Sequence, residues 1–103
     1  RTLMGTATIT HHVVGQGGKY IAHLEGEDAK GTLEWEPGDE VDGKEVRIAT
    51  HTLVPEAIGG RGVAALLVER LVADARKQDF LIRPDCSYVA KKFEENDWDA
   101  VRA

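Results

Sequence analysis

Apolar and polar positions alternate along the first half of the chain and recur three or four apart in the second. Residues 6–14 are rich in β-branched side chains and predict a strand. Gly15, Gly17 and Gly18 predict a turn after it, because glycine enters φ > 0 at no steric cost. Residues 20–24 predict a second strand, ended by Gly26-Glu27-Asp28. In residues 30–36, Leu33 and Trp35 alternate with Thr32, Glu34 and Glu36, the period of a half-buried strand. Pro37-Gly38-Asp39 predicts a loop that runs to Gly43. Residues 45–54, with Val46, Ile48, Thr50 and Thr52, predict a fourth strand. Hairpin-like connections in series predict an antiparallel four-stranded meander.

The period changes after Pro55. Ile58-Gly59-Gly60-Arg61-Gly62 precedes residues 63–77, in which Val63, Leu67, Leu71 and Ala75 recur at i+4 with Ala64, Val68 and Val72 beside them. Glu69, Arg70, Asp74, Arg76 and Lys77 fall elsewhere on the wheel, as an amphipathic helix on a sheet requires. Residues 80–82 predict a short strand that closes at Pro84, and residues 87–95 a second helix with Asp85 or Ser87 as N-cap. The order ββββ-α-β-α predicts an α+β fold with a parallel crossover around the long helix.

A length of 103 residues predicts one domain over 1–103. Thirteen basic against eighteen acidic side chains leave a net charge of −5, which argues against non-specific nucleic-acid binding, since phosphate neutralisation needs clustered cations. Cys86 is the single cysteine, so neither an internal disulfide framework nor a Cys-rich zinc module is possible. His11, His12 and His23 lack metal-ligand spacing, and no metal site is expected. No apolar run approaches the ~20 residues that span a bilayer, and the expected setting is the cytoplasm, with no membrane partner. A monomer or a weak homodimer paired through an edge strand is expected.

A strand, a glycine turn and a helix form the local arrangement that binds phosphates. The first amides of a helix have no intrahelical acceptor, and the dipole places about half a positive charge at that end. Gly59, Gly60 and Gly62 surround Arg61 at the start of the best helix, offering amides and a fixed cation together. A P-loop would need Gly-Lys and then Ser or Thr, which Gly62-Val63 does not supply. A dinucleotide fingerprint must follow the first strand of a βαβ unit closely, whereas here four strands and residues 55–59 come first.

Gly59-Gly60-Arg61-Gly62-Val63-Ala64 resembles the Q/R-x-x-G-x-G/A signature of GCN5-related N-acetyltransferases, with Gly59 at the Gln/Arg position. His51-Thr52-Leu53-Val54-Pro55-Glu56 and Pro84-Asp85-Cys86-Ser87-Tyr88-Val89-Ala90 are similar to segments of a minimal subgroup of that superfamily. The resemblance covers roughly residues 9–98 and is strongest over 50–90. It implies acetyl-CoA, or coenzyme A, as the bound cofactor and acetyl transfer to a primary amine as the reaction. The acceptor, a protein lysine, an N-terminus or a small amine, stays open.

The same resemblance implies that the fourth and fifth strands splay apart around the pantetheine arm. It places the backbone of His51, Thr52, Leu53 and Val54 along that arm. It likewise places the turn of Gly59, Gly60, Arg61, Gly62, Val63 and Ala64 on the pyrophosphate. Larger members often carry an Asn and, seven residues on, a Tyr that protonates the departing thiolate; Cys86 and Phe93 stand at those positions here. Phe93 has no hydroxyl, which makes Cys86 the candidate catalytic group, as an acetyl-accepting nucleophile, a proton donor or a contact to the acetyl group. His51 is the candidate base. The alternative function is a non-catalytic acyl-CoA-binding or regulatory module.

Overall fold

A computed structural model describes residues 7–103; Thr6, expected to open the first strand, lies outside the described residues. The chain runs β1 (Ala7–Val14), β2 (Gly17–Leu24), β3 (Lys30–Val41), β4 (Lys44–Leu53), α1 (Val63–Gln78), β5 (Leu81–Pro84) and α2 (Ser87–Glu95), with a 3-10 turn at Glu56–Ile58 and another at Asp99–Val101. The five strands make one sheet in sequence order. Neighbours are antiparallel from β1 to β4, and β4 pairs β5 in parallel through α1. This is the expected α+β architecture.

Both helices pack on one sheet face. Tyr20, Ala22 and Leu24 of β2, Leu33 and Trp35 of β3, Ala49 of β4 and Ile82 of β5 meet Val63, Leu67 and Leu71 of α1 and Val89 and Phe93 of α2 in one core. Each fully buried Leu, Ile, Val or Phe side chain there contributes roughly 1.5–3 kcal/mol. Gly31 of β3 lets the first turn of α1 approach: a Cβ at Gly31 would stand 2.7 Å from Val63 Cγ1 and 3.5 Å from Val54 Cγ2. The alternate residues of β2 and β3 (Lys19, Ile21, His23, Thr32, Glu34) are half-buried or exposed on the face away from that core. No helix of the described residues is long and apolar enough to cross a membrane.

Three elements depart from the sequence pattern. Gly17 and Gly18 belong to β2, and the turn is Gly15-Gln16, closed by the pair Val14↔Gly17. These glycines serve packing instead, since a Cβ at Gly18 would lie 2.9 Å from the Trp35 ring. β3 runs through Pro37-Gly38-Asp39, expected as loop, to a two-residue turn at Asp42-Gly43, where φ is 54° and 82°. Two successive positive φ angles give the hairpin turn whose twist matches the strands, and Asp-Gly is well suited to it. Beyond Trp35, β3 has no β2 neighbour, so Pro37 lies on an open edge where its missing N–H costs nothing.

The third departure is Asp74, which the helical wheel puts on the polar face but which is 8% exposed. Tyr20 Oη donates to Asp74 Oδ2 at 2.8 Å, and Arg70 Nε donates to Oδ1 at 3.2 Å. Burial, and then the bond to Asp74, pushes the Tyr20 hydroxyl well above the usual phenol range. Arg70 Nη1 also donates to the Ile9 carbonyl at 3.1 Å, tying α1 to β1.

Candidate active site

The β4–β5 ladder is short. Its pairs run from Val46↔Leu81 to Ala49↔Pro84. Cys86 N–H then donates to the Ala49 carbonyl at 2.9 Å, and the remainder of β4, through Leu53, has no β5 partner. The opening is reinforced from the other side of β4. Glu34 pairs with His51 and Trp35 with Ala49, so Thr50 is the extra residue of a bulge, its hydroxyl donating to the Glu34 carbonyl at 3.3 Å. A bulge bends its strand and re-aims the groups beside it.

Cys86 occupies the mouth of this opening. It is the N-cap of α2, a place expected for Asp85 or Ser87, and no side chain makes a capping hydrogen bond there. Asp85 is engaged elsewhere, accepting from Arg83 Nε at 2.9 Å and Nη2 at 2.8 Å; that bond holds the Asp85 carboxyl below its usual range. Cys86 Sγ lies 3.6 Å from Thr52 Oγ1. Partial burial pushes the thiol up. The backbone amide of Val89, the Thr52 hydroxyl and the amides of Tyr88 and Thr52 outweigh that and set its pKa below the usual thiol value. The Thr52 amide therefore points into the opening, beside the sulfur.

The glycine turn borders the same end of β4. Gly60 and Gly62 both have φ of 76°, a conformation that a Cβ would strain. Gly59 closes the preceding 3-10 turn by donating its amide to the Glu56 carbonyl at 3.0 Å, while Leu66 N–H donates to Gly62 as the first bond of α1. Between them, the amides from Gly60 to Ala65 find no backbone acceptor among the described residues, and Gly62 has no side chain to cap the helix. Arg61 is ion-paired with Glu27 of the β2–β3 turn at 3.1 Å.

A family model described as GCN5-related N-acetyl-transferase matches residues 19–101. The chain belongs to the GCN5-related N-acetyltransferase family. No curated protein matches the sequence. Membership carries acetyl transfer as the general class of activity, and the family generally uses acetyl-CoA. The match begins at Lys19, inside β2, and so takes in the short β4–β5 ladder, the glycine turn and Cys86.

The structure separates the two candidate catalytic side chains. Thr52 shares the core-side face with Leu33, its partner across the ladder, and touches Cys86; His51 pairs with Glu34 and is exposed on the opposite face. Leu53 is exposed, and Val54 is half-buried beside Gly31 and the start of α1. Phe93 is a core residue, with its ring 5.2 Å from that of Trp98 in an edge-on contact. Sequence reasoning missed the side-chain role of Thr52, the Thr50 bulge and the Glu27 partner of Arg61. Alternation alone puts Thr52 on the face of Thr50 and Val54, but nothing local announces that β5 stops short of it.

Proposed function

We infer that the protein transfers an acetyl group from acetyl-CoA to a primary amine. One observation carries the reading: a thiol of lowered pKa, the Thr52 hydroxyl and an outward β4 amide converge where β4 and β5 part. The residues present suit the cofactor. The amides at Gly60, Arg61, Gly62, Val63 and Ala64 suit a pyrophosphate, and the open edge at His51, Thr52, Leu53 and Val54 suits the amides of a pantetheine arm. When bound, the cofactor supplies an acetyl carbon activated as a thioester.

Around that carbon, the Thr52 amide and hydroxyl supply donors for a developing oxyanion. Cys86 acts there in one of two ways. As a thiolate it would form the S–C bond to the acetyl carbon as the thioester's own C–S bond breaks with the electron pair left on the cofactor; a neutral amine would then displace Cys86 as thiolate, its surplus proton passing to the released cofactor thiolate. As a thiol it gives its proton to the departing sulfur while the amine attacks directly, and the nitrogen's surplus proton returns to Cys86. In either route one acetyl group moves and one proton passes from nitrogen to sulfur. Phe93 takes no part, being sealed in the core.

Titration calorimetry with coenzyme A, followed by thiol-release assays with acetyl-CoA and an amine panel, tests the reading. Saturable binding with release that needs an amine is the expected result. Binding without release for any amine would turn the reading to an acyl-CoA-binding module, and no binding would remove both. Mass spectrometry of the acetyl-CoA-treated protein then separates the two routes: a gain of one acetyl group, absent in Cys86→Ala, assigns the covalent one.

A further inference from the structure

The candidate site is built around a thiol with no base beside it. Among the described residues, the groups that hydrogen-bond the Cys86 sulfur are the Val89 amide, the Thr52 hydroxyl and the amides of Tyr88 and Thr52. None of these takes up a proton at neutral pH. His51, the expected base, stands with Glu34 on the other sheet face. Phe93 has no hydroxyl and is 3% exposed, and the Asp85 carboxylate is ion-paired with Arg83 at 2.8 Å. A nucleophile must therefore reach the acetyl carbon already in its reactive form.

Abundance then separates the acceptor classes. At pH 7 about 3% of a thiol of ordinary pKa is thiolate, whereas only about 0.04% of an alkylamine is unprotonated. A thiol thus presents roughly a hundred times more of its reactive form. Geometry points the same way. The unpaired length of β4, which suits a pantetheine arm, ends at the Cys86 sulfur beside the last β4–β5 pair. Once a first arm has left its acetyl group on Cys86, the vacated slot offers a second arm the same contacts. By microscopic reversibility, the Thr52 hydroxyl and amide serve the second transfer as they serve the first. No separate acceptor pocket is needed.

We propose that the protein also exchanges acetyl groups between thiols, with Cys86 as the carrier and a thiol on a pantetheine arm as the acceptor. The proposal rests on the acetyl-transfer reading for its donor and its slot. It goes beyond that reading in the acceptor class and in committing Cys86 to the covalent route. In the first half, the Cys86 thiolate bonds to the acetyl carbon as the donor's C–S bond breaks, the electron pair leaving on the donor sulfur. In the second half, the acceptor thiolate bonds to the same carbon as the Cys86–carbon bond breaks, and the electron pair returns to Cys86. One thioester forms for each one broken, with nothing oxidised or reduced.

The experiment incubates the full chain with acetyl-CoA and pantetheine as the probe thiol, with no amine present. Acetylpantetheine is followed by mass spectrometry against a protein-free control. Expected is formation in proportion to protein, with the parallel double-reciprocal lines of a carrier that is loaded and then discharged. N-acetylcysteine, a thiol without the arm, should react more slowly than pantetheine. Thr52→Val should slow the exchange about a hundredfold, the cost of one oxyanion donor, and Cys86→Ser, its fold checked by thermal melting, should abolish it. A second readout is the wild-type protein itself, quenched in acid after acetyl-CoA and weighed: one acetyl group on Cys86, discharged by pantetheine at least about tenfold faster than by n-butylamine at pH 7. Exchange at the protein-free rate, exchange that survives in Cys86→Ser, or exchange without an acetylated Cys86 would each overturn the proposal. Amine-dependent thiol release without exchange would overturn it while leaving the amine reading standing, and Cys86-dependent exchange with no amine acetylated would do the reverse.

Discussion

Cys86 Sγ and Thr52 Oγ1 meet at 3.6 Å just past the last β4–β5 pair. The contact spans the place where two parallel strands part, joining the cap of α2 to an unpaired edge of β4. While the sulfur is protonated it donates to the hydroxyl; once ionised, it accepts from the same hydroxyl. Thr52 therefore favours the thiolate, and the amides at the start of α2 add to it.

Removing that hydroxyl should raise the Cys86 pKa. Thr52→Val keeps the shape and deletes one donor to the anion, so the pH midpoint of iodoacetamide alkylation moves upward. At neutral pH alkylation slows, because less thiolate is present. The cost in stability should be about 0.5–1.5 kcal/mol, one ordinary hydrogen bond. An unchanged midpoint would show that the backbone amides of Val89, Tyr88 and Thr52 set the pKa without the Thr52 hydroxyl.

Arg61 is held by Glu27 across the mouth of the glycine turn, both side chains about one-third exposed at 32% and 30%. A diphosphate and Glu27 therefore compete for one guanidinium. Glu27→Gln removes the rival charge, and coenzyme A should bind up to about fivefold tighter, matching the ~1 kcal/mol ceiling of exposed ion pairs. The gain should shrink at high salt. Calorimetry at two ionic strengths checks it. Weaker binding in Glu27→Gln would mean that the pair positions Arg61 instead.

The elements that local pattern predicts are those whose partners lie close along the chain. α2 occupies Ser87–Glu95, the bounds that apolar spacing predicts, because its period is local, whereas its N-cap is Cys86 and not the expected Asp85 or Ser87. α1 exceeds its expected span by Gln78 and then stops at Asp79, which takes φ of 60° and donates its N–H to the Ala75 carbonyl. Asp74 was illegible because its partner is Tyr20, far along the chain, and a carboxylate on a helical wheel defaults to solvent. β3 hid for a related reason: Pro37 reads as a strand breaker until one knows that β2 ends beside Trp35. At the site, the turn and Cys86 are visible as residues, but the opening between them depends on where β5 stops.

Gly31 couples the core to the glycine turn. A methyl group there would stand 2.7 Å from Val63 Cγ1, and Val63 is the first residue of α1. Gly31→Ala should push that end of the helix outward, at a cost of about 1–3 kcal/mol from overpacking. The amides after Gly62 move with it. Coenzyme A affinity should fall as well, and Val63→Ala in the same chain should restore both by clearing the space. Denaturant titration and calorimetry on the single and double variants check the pair.

Acid should loosen the sheet through His11. Trp35 Nε1 can only donate, so His11 Nε2 accepts that 3.0 Å bond and the ring must be neutral, with its proton on Nδ1. The ring also stacks on Tyr20 at 4.2 Å. Burial, and then the Arg47 charge, lowers the His11 pKa below 6.5. The sign follows from linkage: below 6.5 the unfolded chain takes a proton that the folded chain resists. The contribution of His11 is therefore fully present above about pH 6.5 and is lost as pH falls toward the depressed folded value. Thermal melts of the wild type should decline over that interval. His11→Gln keeps an acceptor for Trp35 but cannot titrate, so its melts should decline less steeply there, and equal slopes would assign the acid sensitivity to other groups.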